Sequence, residues 1–140
     1  MDGYRFSTEI VARFNETDAQ GVIHHGVHLL WFEVARIAYL SRLEGGYRGL
    51  VESGVDVTTV AANVEYLGPI TFDDRIAIWT RCVDVRGARL RFEYALERVS
   101  DPPGLVARGS TGHACVDAVA LRPTRVPTGL AAHLERLETP

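Results

Sequence analysis

Between about His25 and Glu44 lies a helical pattern with almost no polar surface. It carries Leu29, Leu30, Trp31, Phe32, Val34, Ala35, Ile37, Ala38, Tyr39, Leu40 and Leu43, relieved by a narrow stripe of Glu33 and Arg36 three residues apart. A helix apolar over most of its circumference has to be enclosed by other elements. The chain around it is short: 140 residues, 46% hydrophobic and 24% charged, which is the composition of a folded chain and the length of one domain. We therefore treat residues 1–140 as a single domain built around one helix, with Gly45-Gly46 as its C-terminal stop.

The remaining segments read as strands. Tyr4 to Phe14 precedes the helix and ends in the turn-rich Asn15-Glu16-Thr17-Asp18, after which Gly21 permits a tight backbone. Four β-rich runs follow, about Thr58 to Leu67, Ile76 to Val85, Arg89 to Ser100 and Leu105 to Ala120. Asp73-Asp74, Arg86-Gly87-Ala88 and Asp101-Pro102-Pro103-Gly104 separate them with turns short enough to join antiparallel neighbours. Pro123 and Pro127 close the sheet, and Leu130 to Leu137 reads as a short terminal helix. The expectation is an α+β fold of hot-dog architecture, a curled antiparallel β-sheet wrapped around one long central helix. Such a sheet leaves edge strands, and pairing them across a two-fold axis predicts a homodimer or homotetramer.

Several functional classes are disfavoured at once. A net charge of −3 gives no basic footprint for nucleic acid, although all 15 cationic side chains are Arg. The N-terminus has no secretory pattern and no window is apolar enough for a membrane span, so the expectation is a cytoplasmic protein. Cys82 and Cys115 stand alone in apolar segments and read as buried thiols. His24 and His28 have the four-residue spacing of a helical zinc pair, but the Glu of the metalloprotease motif and a third ligand are missing, so no metal is expected.

Asp18 lies seven residues before His25, beside the start of the helix, where free N–H groups and the positive end of the macrodipole lie. Read in isolation, Asp18 or Thr17 is a cap or turn residue. The stretch Phe14-Asn15-Glu16-Thr17-Asp18-Ala19-Gln20-Gly21-Val22-Ile23-His24-His25, followed by Leu29, Trp31-Phe32-Glu33 and Ala35-Arg36, closely resembles the signature of the 4-hydroxybenzoyl-CoA thioesterase family, and within it the Tol-Pal-associated acyl-CoA thioesterases. Val64-Glu65-Tyr66-Leu67-Gly68-Pro69 with Phe72-Asp73-Asp74 is similar to the family's second strand and turn, and Arg122-Pro123 with Val126-Pro127 to its closure. The sequence departs from the pattern at His24, Val27 and His28, where the family usually has an aromatic, an Asn and an aromatic residue.

The resemblance implies hydrolysis of an acyl-CoA thioester, or of an acyl-carrier protein thioester, without a cofactor. It places Asp18 on the catalytic carboxylate and His25 on the residue whose backbone N–H receives the thioester oxygen. The chemistry accords: an N–H backed by a helix dipole stabilises negative charge developing on the carbonyl oxygen. The carboxylate either attacks the carbonyl or deprotonates a water that does. Gly21, His24 and Gly26 are the substrate-binding candidates around this loop, and Gly26 would let the thioester approach the backbone closely. Asn63, on the strand after the helix, is the candidate contributed across a dimer, with a plain strand role beside it. Two other readings stand against hydrolysis: an acyl-thioester hydratase or dehydratase on the same fold, and a non-catalytic acyl-CoA or acyl-carrier binding module. Glu33 is a further helical carboxylate, more simply explained by pairing with Arg36.

Overall fold

The computed structural model describes all of residues 1–140. Five strands, β1 (Ser7–Val11), β2 (Val55–Tyr66), β3 (Arg75–Arg86), β4 (Arg89–Arg98) and β5 (Gly104–Asp117), form one sheet in the order β1-β3-β4-β5-β2. Every pairing is antiparallel. The two hairpins turn at Gly87-Ala88 and at residues 99–103, and β2 and β1 are left as the edges.

Helix α1 (Val27–Leu40) crosses the sheet and supplies Trp31, Phe32, Ala35, Tyr39 and Leu40 to the core. Aromatic rings make the contact. Phe32 stacks on Tyr94 of β4 with centroids 4.3 Å apart, and Tyr39 meets Phe92 edge-on at 5.6 Å. Gly109 of β5 allows this closeness, because a Cβ there would sit 2.6 Å from the Phe32 ring. A glycine in mid-strand is thus the mark of a close approach by a neighbour.

The hot-dog arrangement of sheet and helix matches the sequence expectation, and so does a short terminal helix; the central helix is shorter than expected and a further helix follows it. There are three helices: α1, then α2 (Gly46–Glu52), then α3 (Thr128–Glu138). α1 ends at Leu40 instead of Glu44, and hydrogen-bonded turns carry the chain to Gly45 and Gly46, both at positive φ. α2 has glycine at its first and fourth positions and little intrinsic helicity. It is held by packing of Tyr47 and Leu50 on the core, which no local pattern reveals.

Enclosure of α1 is also incomplete. Leu30 and Val34, one turn apart, are 59% and 50% exposed, whereas Arg36 is buried. The polar stripe therefore splits. Glu33 points to solvent and reaches back to Arg36 at 3.8 Å, while the Arg36 guanidinium lies inside near Tyr94 and His113. One five-stranded sheet covers only one side of a helix that is apolar on nearly all sides.

Candidate active site

The segment between β1 and α1 folds on itself. Phe14–Glu16 form one 3-10 turn, Thr17 and Ile23 make an antiparallel bridge, and Val22 bridges to Thr71. Asp18 sits at the head of the intervening turn. Its N–H donates to the Val22 carbonyl at 2.9 Å and its carbonyl accepts the Gly21 N–H at 2.9 Å. Its Oδ1 accepts the Gln20 N–H at 2.8 Å, an Asx turn. Asp18 thus caps its own turn and leaves Oδ2 without a partner. Gly21 closes the turn at φ 81°, a left-handed conformation that favours glycine.

Asp18 and His25 line one cleft of about 420 Å³. Its walls are mixed, with Val22, Ile23, Leu67 and Ile70 on the apolar side and Gln20 and His28 among the polar groups. The His25 N–H has no hydrogen-bond partner within the chain, and its carbonyl accepts the Tyr66 hydroxyl at 2.6 Å. The next N–H, of Gly26, donates to His24 Nδ1 at 3.0 Å, which assigns the proton of neutral His24 to Nε2. The His24 and His25 rings stack with centroids 4.1 Å apart. Gly21, His24 and Gly26 therefore frame the loop and do not line the cleft.

Asn63 lies elsewhere. It is paired with Ser110 in the β2–β5 ladder and opens into a separate cleft of about 580 Å³ beside Arg91 and Arg108. Nothing within one chain brings it to Asp18. Glu33 is equally remote from this cleft, on the exposed side of α1. No group of three His, Cys, Asp or Glu side chains converges as metal ligands, and His24 and His28 point apart in use, one to Gly26 and the other into the interior.

Sequence reasoning did not select two residues of the cleft. His28 is 3% exposed and lines it, with Nδ1 buried and unpartnered. Burial pushes its pKa below the ordinary histidine value, outweighing the nearby carbonyls of His25 and His24, so the ring is neutral near pH 7. Tyr66 comes from the end of β2, its ring edge-on to His28 at 4.8 Å. The departure from the family pattern at position 28 was the only local sign of the first. Tyr66 is 41 residues from its partner, beyond the reach of any local pattern.

Residues 12–134 match the model of the thioesterase-like superfamily. The acyl-CoA thioesterase YbgC of Haemophilus influenzae is 29% identical over 136 residues, covering 95% of this chain and 96% of that protein. Among solved structures, the DHNA-CoA thioesterase of Staphylococcus aureus is 32% identical with a TM-score of 0.79, covering 85% of this chain and 78% of that one. A Thermus thermophilus protein is 31% identical with a TM-score of 0.85, covering 94% and 98%. Fold, length and the matched span agree, and the chain belongs to the thioesterase-like superfamily.

Proposed function

We propose that this protein is an acyl-CoA thioesterase of the 4-hydroxybenzoyl-CoA thioesterase branch, hydrolysing a CoA thioester to the free acid and CoA in the cleft headed by Asp18. The observation that carries the reading is the pairing, in one cleft, of a carboxylate oxygen without a partner and a backbone N–H without a partner. The His25 N–H receives the thioester oxygen as negative charge develops on it. Asp18 Oδ2 then either adds to the carbonyl carbon, expelling the CoA thiolate and leaving a mixed anhydride that water cleaves, or removes a proton from a water that attacks directly. Val22, Ile23 and Ile70 offer the acyl group an apolar wall. A CoA-linked substrate accords with a cytoplasmic protein acting without a cofactor. A homodimer or homotetramer, with a second copy covering the β2 edge, is part of the same reading.

Asp18→Asn tests it. Asn keeps an acceptor oxygen for the Gln20 N–H, so the turn survives, but it lacks the negative charge that either route needs. Thiol release from a panel of short-chain, long-chain and aryl acyl-CoA substrates should fall by orders of magnitude with folding unchanged. Turnover near that of the parent would reduce Asp18 to a turn residue and return the binding-module reading.

A further inference from the structure

The peptide that joins His25 to Gly26 is held at both ends by side chains. Its carbonyl oxygen accepts the Tyr66 hydroxyl at 2.6 Å, and its N–H donates to His24 Nδ1 at 3.0 Å. Tyr66 reaches it from a firm base. It is the last residue of β2, paired with Ala107, and the next two N–H groups, of Leu67 and Gly68, both donate to the Val106 carbonyl at 3.0 Å. Its ring is seated edge-on against the buried His28, interplanar angle 88°. Beside the Val22–Thr71 bridge and the Ile23 N–H bond to the Ile70 carbonyl, this phenolic hydroxyl ties the His25 end of the loop to the end of β2.

We propose that Tyr66 is a positioning residue for the oxyanion-binding N–H of His25, a role that rests on the thioesterase reading above. The peptide carrying that N–H and the peptide held by Tyr66 are rigid planes hinged at the His25 Cα. Fixing one leaves the other only the two dihedrals of His25. The stacked His24 and His25 rings and the His24 bond to Gly26 restrict these further. Stabilising an oxyanion requires the donor to stand within a few tenths of an ångström of its working place before the reaction, and such placement comes from groups on rigid elements. Tyr66 does not itself donate to substrate, since its one proton is given to the His25 carbonyl.

Tyr66→Phe removes the hydroxyl and keeps the ring against His28. Hexanoyl-CoA and benzoyl-CoA hydrolysis by the parent, Tyr66→Phe and Asp18→Asn, together with amide hydrogen exchange of the unliganded parent and Tyr66→Phe proteins, tests the proposal. In Tyr66→Phe, kcat should fall about tenfold, a part of what one oxyanion donor is worth, with KM within about twofold. The Gly26 amide, bonded to His24 Nδ1, should exchange several-fold faster while β4 and β5 amides do not change. A kcat within about twofold of the parent, or unaltered exchange at Gly26, overturns the positioning role. Those results leave the thioesterase reading standing if Asp18→Asn is inactive. An active Asp18→Asn instead strikes at that reading, and the exchange data still decide whether Tyr66 holds the loop.

Discussion

The indole N–H of Trp31 donates to Glu16 Oε2 at 2.9 Å, joining the turn that precedes Asp18 to the first buried turn of α1. Glu16 also accepts the Arg13 N–H at 2.8 Å on Oε1. Burial alone would raise its pKa. Hydrogen bonds from the Arg13 backbone and side chain and from Trp31 outweigh that and hold it below the ordinary value of 4.5. Trp31→Phe would leave the buried carboxylate without this donor, at a cost of about 1–3 kcal/mol, and loosen the loop carrying Asp18. Urea denaturation should reveal the loss, and turnover should fall with it. Because the folded pKa is depressed, Glu16 contributes full stability above pH 4.5 and loses it as pH falls through the folded value.

Acid should weaken the protein earlier through His113. This side chain is fully buried, with Nε2 against Thr111 Oγ1 at 2.7 Å and Nδ1 near Thr59 Oγ1 at 3.3 Å. Burial, then the Arg36 guanidinium, pushes its pKa down from 6.5 to about 4. Between those values the unfolded chain binds a proton that the folded one refuses, so stability falls with falling pH at up to about 1.4 kcal/mol per unit. His28, depressed by burial, adds in the same direction. Denaturation midpoints measured from pH 7 to pH 4 should show the slope, and His113→Gln should flatten it. An equal slope in His113→Gln would remove His113 as its source.

Glu138 fastens α3 to the body of the molecule. Its Oε2 accepts the hydroxyl of Tyr39, a fully buried core residue of α1, and the Cys82 N–H of β3 at 3.1 Å. Glu138→Ala strands both donors and should cost about 1–3 kcal/mol, whereas Glu138→Gln, which still accepts, should cost less. Thermal unfolding of the two variants distinguishes them. Equal loss in both would assign the effect to charge.

Leu30 and Val34 stand exposed on α1, and β2 presents a twelve-residue open edge. A second copy would cover both, so light scattering at micromolar concentration should give a dimer or tetramer. Val34→Glu should shift the protein toward monomer. A monomeric parent would leave Asn63 without a route to the cleft.

Activity should survive exhaustive chelation, since a carboxylate, a water and backbone donors suffice for either route. Loss with EDTA and recovery with zinc would overturn the mechanism and bring His24 and His28 back as ligands.

Local pattern in the sequence was enough for the strands, for the aromatic helix and for the loop bearing Asp18 and His25. Alternation, turn residues and the 3.6-residue period are set by neighbours in the chain. Ends moved where propensity met packing: α1 closes at Leu40, and the glycine-bearing α2 exists because Tyr47 and Leu50 find the core. The Asx turn at Asp18 is equally local. What the tertiary structure alone decided is how that loop is held. Trp31 binding Glu16 and Tyr66 binding His25 join residues 15 and 41 positions apart, and Arg36 turns inward toward Tyr94 and His113 instead of completing a surface stripe. Such contacts depend on which faces the sheet brings opposite α1, and no spacing along the chain encodes that.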